Sequence, residues 1–228
     1  MQDIIVAIDG FSSCGKSTLA KALAKKMNYS YVDTGAMYRA VTLYLLRNEL
    51  NWNSMSKEEL EKTLDQIKIE FKFNSEKQQS ETYLNGENIE AEIREKAVSD
   101  TVSEVSQLKT IRSRMVELQQ LAGKNKALVM DGRDIGSTVF PNAELKLFMT
   151  ADPQIRAKRR YDELKAKGAE ITLEEVSENL KTRDYNDTHR KETPLIRSAD
   201  AIEIDNSYLN EEEQLNLVLR MVEEKIKA

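Results

Sequence analysis

The chain has 228 residues, of which 40% are hydrophobic and 32% charged, and its formal net charge is −5. This size suits one α/β domain with a sizeable core and room for a small insert, while the acidic balance argues against a broad nucleic-acid surface. No apolar run approaches the roughly 18 residues of a membrane span, so we expect no binding to membranes. One cysteine cannot form an intrachain disulfide, so a cytoplasmic location is the default expectation. We also expect a monomer by default, and no binding to nucleic acid.

The first predicted elements are an apolar strand at residues 4–8 and a helix from about 16 to 27. The segment between them, Gly10-Phe11-Ser12-Ser13-Cys14-Gly15-Lys16-Ser17, fits the pattern G-x-x-x-x-G-K-[ST] of a phosphate-binding loop. Glycines let the backbone approach phosphate oxygens, and N–H groups at a helix N-terminus point at the anion. Lys16 would reach the β- and γ-phosphates, and the Ser17 hydroxyl would ligate Mg²⁺. The residues predicted to bind the nucleoside triphosphate are Gly10, Ser12, Ser13, Cys14, Gly15, Lys16, Ser17 and Thr18. A small loop filler is the favoured interpretation of Cys14, ahead of a reactive thiol.

A second strand at 29–32 leads into Asp33-Thr34-Gly35 and a helix from about 36 to 48. Another helix near 57–66 precedes an alternating strand at 67–73 and a partner at 81–84, which ends at the hairpin signal Asn85-Gly86. The segment at about 67–90 is therefore predicted to be a small antiparallel insert. A long helical stretch is predicted next, from about 91 to 122.

Strands at 127–130, 145–149 and 201–204 alternate with helices that begin at Pro153 and Leu173, and a helix ends the chain. Apolar strands that alternate with helices favour a parallel sheet covered on both faces. The predicted fold is therefore α/β, a P-loop NTPase fold with a five-stranded parallel sheet, flanking helices and the small insert.

Polar residues cluster where the second and third strands of the predicted sheet end. Arg39 lies about one turn into the second helix, and strand three is followed by Asp131-Gly132-Arg133-Asp134-Ile135-Gly136. Asp131 is a candidate to support Mg²⁺ through a water, and Arg133 to bind phosphate in a bidentate manner. Each residue alone would be read as an ordinary turn or surface residue, but two such clusters at the edge of the phosphate loop favour function.

Two further polar segments follow strand four. Lys158-Arg159-Arg160 is either a solvated helix face or part of a mobile basic segment that closes over the transferring phosphoryl group. The second segment, residues 183–190, contains His189, the only histidine, so a multi-histidine metal site is excluded. A solvated position is favoured for His189 over a catalytic base.

These segments together resemble bacterial-type cytidylate kinases, a family of P-loop nucleoside monophosphate kinases, over nearly the full length. The residues that carry the resemblance lie at 10–17, 33–39, 86–94, 131–141 and 183–190. It implies transfer of the γ-phosphoryl group of ATP, with Mg²⁺, to CMP or dCMP. It also implies a single domain over 1–228, with a core of about 1–55, 100–153 and 195–228, a monophosphate-binding insert at 56–99 and a helical lid at 154–194.

The resemblance also implies roles for individual residues. Ser103, Arg112 and Asp134 would read the cytosine, Arg39 and Arg133 would clamp the acceptor phosphate, and Arg183 and Asp187 would lie at the ribose and phosphates. The implied CMP-binding set is Thr34, Arg39, Ser103, Arg112, Arg133, Asp134, Arg183 and Asp187. The implied catalytic set is Lys16, Arg133, Arg159, Arg160 and Arg190. The chain departs from the family at Phe11, Ser13 and Cys14, and at Tyr185, Asn186 and Thr188.

Two alternative functions stay open. One is a kinase for another monophosphate, such as UMP or AMP. The other is a nucleotide-dependent switch or binding protein; a GTPase-type switch would require [NT]-K-x-D, and the nearest segment, Asn125-Lys126-Ala127-Leu128, lacks the Asp. The sequence does not distinguish CMP from dCMP as the preferred acceptor.

Overall fold

The structure, a computed structural model, describes residues 3–76 and 79–227. Backbone contacts divide the chain into two compact units. Unit 1 contains the residues up to Tyr31 and those from Gly123 onward, and unit 2 contains Val32–Ala122. The finer division into a core, an insert at 56–99 and a lid at 154–194 stays a prediction.

Apart from the short strand Glu87–Asn88, which was not predicted, and the division of the segment at 91–122, the strands and helices follow one another in the predicted order. The strands are β1 (Ile5–Gly10), β2 (Ser30–Asp33), β3 (Ile69–Asn74), β4 (Gln79–Leu84), β5 (Glu87–Asn88), β6 (Leu128–Gly132), β7 (Leu145–Thr150) and β8 (Ile202–Asp205). The α-helices are α1 (Lys16–Met27), α2 (Thr34–Arg47), α3 (Lys57–Asp65), α4 (Lys96–Val105), α5 (Lys109–Ala122), α6 (Pro153–Ala166), α7 (Leu173–His189) and α8 (Glu211–Lys227).

A five-stranded sheet of order β2-β6-β1-β7-β8 organises unit 1. The strand β1 runs parallel to β6 and β7, and β7 runs parallel to β8. In this register Asp9 lies opposite Gly132, and Gly10 lies opposite Met149. The carboxyl ends of these strands therefore share one edge, where open α/β sheets bind ligands. The prediction of a parallel five-stranded sheet is confirmed.

The core of unit 1 lies between this sheet and the helices α1 and α8. Fully buried side chains of the strands pack against Leu19 and Leu23 of α1 and against Val218 and Val222 of α8. Each such side chain contributes about 1.5–3 kcal/mol when it leaves water. This apolar body fixes the ends of β1, β6 and β7, and so fixes the loops that follow them.

Unit 2 contains a three-stranded antiparallel sheet, β3-β4-β5. The turn between β4 and β5 places Asn85 at φ 50° and Gly86 at φ 88°, the positive angles that a two-residue hairpin turn of type I′ requires. The small apolar core includes Ala40, Leu84 and Ile93. The predicted antiparallel insert is confirmed.

The predicted helical stretch at 91–122 is helical in the structure, but it is broken twice. Glu92–Arg94 forms a short 3-10 turn, α4 then runs to Val105, and α5 begins at Lys109. The second break is stabilised by side chains, since the Ser106 hydroxyl donates to the carbonyl of Ser103 at 3.0 Å and the Arg112 guanidinium donates to the carbonyl of Ser106 at 3.0 Å. Such bonds offer the backbone an alternative to helix, which apolar periodicity alone does not reveal.

The helices α6 and α7 begin where the sequence predicts. Asp152 caps α6 by accepting from the backbone N–H of Gln154, and Pro153 occupies the first turn, where its missing N–H has no helical partner. Thr172 and Glu175 form a reciprocal capping box at the start of α7. Within the described ranges, no helix combines the length and apolarity needed to cross a bilayer.

Candidate active site

The phosphate loop connects β1 to α1 and is shaped by its glycines. Gly10 has φ 144°, and a Cβ there would lie 2.0 Å from the carbonyl oxygen of Met149, so only glycine fits. Gly15 has φ 96°, and Ser13 takes a left-handed φ of 59°. The loop then enters α1, with Lys16 buried and Thr18 exposed in its first turn. Its backbone N–H groups thus lie at a helix N-terminus, as an anion site requires.

The carbonyl groups of the loop are held by side chains of unit 1. The carbonyl of Phe11 accepts from Lys16 Nζ at 2.5 Å and from Cys14 Sγ at 3.0 Å. The carbonyl of Cys14 accepts from Asn206 Nδ2 at 2.8 Å. The Cys14 side chain is fully buried in the core of unit 1, a position that suits a small filler. Burial and the nearby Arg133 charge lower the pKa of Lys16.

A hydroxyl and a carboxylate meet beside the loop. Ser17 Oγ donates to Asp131 Oδ2 at 2.8 Å, and Tyr31 Oη donates to Asp131 Oδ1 at 2.8 Å. These are hard oxygen ligands, the type that Mg²⁺ prefers, so Ser17 and Asp131 fit the predicted metal site. Tyr31 was missed because a tyrosine in a predicted strand is ordinarily a packing residue.

Arg133 connects the phosphate loop to the helix α7. Its Nη2 donates to Ser12 Oγ at 2.7 Å, and its Nε donates to Asp187 Oδ2 at 2.7 Å. Burial alone would raise the pKa of Asp187, but the Arg133 charge and hydrogen bond hold it below its ordinary value. Two residues that the sequence separates by 54 positions thus form one ion pair beside Ser12.

Arg183 lies in the same cluster of positive charge. Burial first, and then the charge of Arg133, lowers the pKa of Arg183 to about 10, with Arg160 adding to the effect. The acidic neighbours Asp184 and Asp187 act in the opposite direction but do not cancel it. Crowded guanidinium groups beside a phosphate loop are suited to a polyanion.

Asp134 and Arg190 are buried together in unit 1. Arg190 Nη2 lies 3.4 Å from Asp134 Oδ1, and Arg190 Nη1 lies 3.6 Å from Asp187 Oδ1. The backbone that carries Asp134 is held by Asp9, whose carboxylate accepts from the N–H groups of Ile135 at 2.8 Å and Gly136 at 2.7 Å. Burial raises the pKa of Asp9 to about 6. The signal for Asp9 was a charged residue at the end of an otherwise apolar strand.

The three basic side chains of α6 at 158–160 point in different directions, because adjacent residues of a helix cannot all lie on one face. Arg159 Nη2 donates to the carbonyls of Asn206 at 2.8 Å and Ser207 at 3.2 Å. Arg160 Nη1 pairs with Glu163 at 2.8 Å, and Lys158 pairs with Asp162. The structure thus places Arg159 at the residues that follow β8, and Arg160 near Arg183. His189 stacks on Tyr185 at the exposed end of α7.

The predicted site residues of unit 2 lie on α2, α4 and α5. Thr34 is buried at the start of α2, and Ser103 is half-buried on α4. Arg39 donates to the carbonyl of Ile93 at 3.1 Å and to Ser99 Oγ at 2.9 Å. Arg112 is buried, with its guanidinium carbon 5.4 Å from the centre of the Tyr38 ring.

An ion pair fixes the segment that holds Arg39. Asp33 caps α2 by accepting from the Ala36 N–H at 2.9 Å, and its other oxygen lies 3.1 Å from Arg94 Nη2. Burial alone would raise the pKa of Asp33, but the Arg94 charge and the Ala36 hydrogen bond hold it below its ordinary value. Arg94 belongs to the same 3-10 turn as Ile93, whose carbonyl accepts from Arg39.

Comparison with known proteins agrees with the interpretation of this region as a nucleotide site. The family model described as cytidylate kinase matches residues 6–224. The chain is 56% identical to the cytidylate kinase of Flavobacterium johnsoniae over 228 residues, which covers 100% of this chain and 99% of that relative. It is 54% identical to the cytidylate kinase of Bacteroides thetaiotaomicron over 215 residues, which covers 94% of each chain. A crystal structure of an uncharacterized protein from Eubacterium ventriosum shares the fold, with a TM-score of 0.51 at 13% identity, covering 98% of this chain and 99% of that one.

Proposed function

The chain belongs to the cytidylate kinase family, and from that premise we propose that it transfers the γ-phosphoryl group of ATP to CMP or dCMP, forming ADP and CDP or dCDP. It is an ATP-dependent nucleoside monophosphate kinase. The observation that carries the proposal within unit 1 is Arg133, which bonds both Ser12 of the phosphate loop and Asp187 of α7. A guanidinium in this position can contact a phosphoryl group that leaves the loop.

The site residues would act by positioning and by charge, without a strong base. A monophosphate acceptor has a second pKa near 6, so it is largely a dianion at neutral pH and needs no deprotonation. Lys16 and Arg133 would hold the donor phosphates and the group in transfer, and water must be kept out because it would otherwise hydrolyse ATP. Activity at neutral pH would then depend on the positive charges of Arg and Lys side chains. Among the described residues no histidine is buried, which agrees with this.

Mg²⁺ fits the oxygen ligands at the start of α1. Ser17 would ligate the ion and Asp131 would support it through a water. When bound, the ion neutralises charge that develops on the phosphates. Tyr31 would orient the Asp131 carboxylate through its hydrogen bond to Oδ1.

The assignments at the acceptor are part of the proposal. Ser103, Arg112 and Asp134 are proposed to read the cytosine, since an Arg and an Asp supply the donors and acceptor that its polar edge matches. The acceptor phosphate is proposed to contact Arg39 and Arg133. The remaining assignments are Thr34, Arg183 and Asp187 as CMP ligands, and Arg159, Arg160 and Arg190 as arginines that close over the transfer. The lid (154–194) stays part of the proposal, and so do a monomeric state and a cytoplasmic location.

The deciding experiment is a panel of acceptors. The purified protein is incubated with Mg-ATP and CMP, dCMP, UMP or AMP, and formation of ADP and of each diphosphate is measured. We expect the highest kcat/KM with CMP and dCMP, and ADP formation that depends on the acceptor. A higher kcat/KM with UMP or AMP would contradict the base assignment, and ADP formation independent of any acceptor would contradict the kinase. A nucleotide switch, in turn, would show binding of the triphosphate with no diphosphate product from any acceptor.

A further inference from the structure

Phe11 is the least expected residue of the phosphate loop, and its ring has two close neighbours. The ring meets Phe148 of β7 edge to face, with centroids 5.9 Å apart and an interplanar angle of 85°. The guanidinium carbon of Arg156 lies 5.2 Å from the centre of the same ring. A guanidinium at this distance from an aromatic face is attracted to it, most strongly where water is excluded.

Arg156 is buried, with 5% of its surface exposed, and its bonds connect three segments of unit 1. Its Nε donates to the carbonyl of Ala151 at 3.0 Å, which anchors it at the start of α6. Its Nη1 donates to the carbonyl of Ser12 in the phosphate loop at 3.2 Å and to Asp184 Oδ2 on α7 at 2.7 Å. The other Asp184 oxygen is buried and has no hydrogen-bond partner within the described part of the chain. The Asp184 carboxylate therefore depends on Arg156.

The bond to Ser12 completes a pattern along the loop. Lys16 and Cys14 hold the carbonyl of Phe11, Asn206 holds the carbonyl of Cys14, and Arg156 holds the carbonyl between them. In a peptide unit the C=O and N–H groups point in opposite directions. Fixing the carbonyl groups on the protein side therefore orients the N–H groups of the loop for an anion.

We propose that Arg156, stacked on Phe11, is a positioning residue for the phosphoryl donor. It holds the Ser12 peptide in the orientation that binds Mg-ATP, and its pair with Asp184 ties that peptide to α7, the helix that also carries Arg183 and Asp187. The inference rests on the proposed function, because it concerns the donor half of the same site. It gives Phe11 a role as the aromatic surface that keeps the Arg156 plane in place.

The test compares Mg-ATP binding by calorimetry, with no acceptor present, for the wild type, Arg156→Lys and Phe11→Leu. Lysine keeps the positive charge beside Asp184 but has no planar group that can stack on Phe11 while reaching Ser12. We expect the dissociation constant of Mg-ATP to rise about 10- to 100-fold in Arg156→Lys, the range for a lost hydrogen bond to a charged group, and about 3- to 10-fold in Phe11→Leu. Phe11→Leu should have less effect in the Arg156→Lys background than in the wild type, because the two residues act together.

Steady-state kinetics then separate positioning from general damage. The KM for ATP should rise in both variants while the KM for CMP stays within about threefold, a split that a loss of folding does not produce. Glu144→Gln is the matched control: Glu144 accepts from the Ile5 N–H at 2.9 Å and pairs with Lys126 at the opposite end of β1, so its change should lower the thermal midpoint and leave Mg-ATP binding unchanged.

Mg-ATP affinity within twofold of the wild type in a folded Arg156→Lys protein would overturn the inference, and so would equal losses for ATP and CMP. If Arg156→Lys does not fold, Phe11→Leu decides by the same criteria. Because calorimetry uses no acceptor, its outcome is independent of which monophosphate the wild type phosphorylates, and failure of the acceptor panel is distinguishable from failure of this inference.

Discussion

Arg133→Ala tests the proposed transfer most directly, because this side chain lies between the loop and α7. Its guanidinium is 2.7 Å from both Ser12 Oγ and Asp187 Oδ2, and 20% of the side chain is exposed. The substitution therefore has two separable effects. It removes a positive charge from the site of transfer, and it removes one partner of a largely buried ion pair.

The cost in stability can be bounded from the burial of the pair. Removing one partner of a fully buried pair costs about 3–5 kcal/mol. The Asp187 side chain is 13% exposed and keeps Arg190 Nη1 at 3.6 Å, so we expect a smaller loss in the free energy of unfolding, about 1–3 kcal/mol. A domain with an ordinary stability of about 5–15 kcal/mol stays folded after such a loss.

The cost in rate is expected to be larger. An arginine that stabilises the transferring phosphoryl group contributes about 10³- to 10⁵-fold to kcat. Lys16 and Arg183 share the cluster and keep part of the charge, so we expect kcat to fall by about 10³-fold, which corresponds to about 4 kcal/mol in the barrier. The catalytic loss thus exceeds the loss in stability, and unfolding cannot account for it.

The assay measures kcat with CMP and Mg-ATP beside the free energy of unfolding. Arg197→Ala is the matched control, because Arg197 forms an exposed ion pair with Glu203 at 2.7 Å and should change neither quantity appreciably. The double variant Arg133→Ala/Asp187→Ala should recover stability, since no buried carboxylate is left alone, without recovering kcat. A folded Arg133→Ala protein with kcat within about fivefold of the wild type would refute the proposed role.

The ion pair also predicts a dependence on pH. The pKa of Asp187 is held below its ordinary value in the folded protein, so its contribution to stability is present above the unfolded pKa of 3.8 and is lost as the pH falls through the folded pKa. The difference in stability between the wild type and Arg133→Ala should therefore be constant from pH 6 to pH 8 and shrink below about pH 4. A difference that stays unchanged at pH 3 would mean that Asp187 is not the partner that matters.

Three further predictions concern the same site. Lys16→Ala should lower kcat by at least about 10²-fold with every acceptor, because its charge serves the donor; a loss confined to CMP would contradict this. Asp134→Ala should narrow the ratio of kcat/KM for CMP over UMP more than it lowers the rate with CMP, and an unchanged ratio would remove Asp134 from base recognition. Because burial raises the pKa of Asp9 from 3.8 to about 6, the Asp9 carboxyl favours folding at low pH, and this contribution, about 3 kcal/mol, is lost as the pH rises from 4 to 7. Thermal unfolding of the wild type should show this loss relative to Asp9→Asn, and parallel pH profiles would contradict it.

Some of the site could be predicted because its requirements are local. Gly10 and Gly15 take backbone angles that disfavour other residues, and their spacing to Lys16 and Ser17 is set by one turn of chain entering a helix. The alternation of apolar strands and helices likewise predicts a parallel sheet, because each strand is buried on both faces. Features that depend on local backbone geometry or on burial can therefore be predicted from the sequence pattern.

Other features depend on pairs that are far apart in the chain. Arg156 and Ser12 are 144 residues apart, and nothing in the helical pattern of α6 distinguishes Arg156 from the neighbouring Arg159 and Arg160. Asp9 could be noticed as a charge at a strand end, but its two backbone donors at Ile135 and Gly136 appear only when β1 and β6 pair. The break between α4 and α5 was missed for a different reason: it depends on local side-chain bonds, such as the one from the buried Arg112 to the carbonyl of Ser106, which apolar periodicity does not register.

The charges in unit 1 give a physical reason for the hydrogen bonds that hold the backbone carbonyls of the phosphate loop. Burial first, and then repulsion from the charges of Arg133 and Arg160, lowers the pKa of Arg183 to about 10, while Asp184 and Asp187 act in the opposite direction. A group whose pKa is lowered in the folded state destabilises that state while it stays charged, as Arg183 does at neutral pH. A bound polyphosphate would relieve this repulsion, and binding to the folded protein alone raises its stability. The hydrogen bonds to the carbonyls of Phe11, Ser12 and Cys14 would then keep the loop in its binding conformation while no phosphates are bound to neutralise the nearby positive charge.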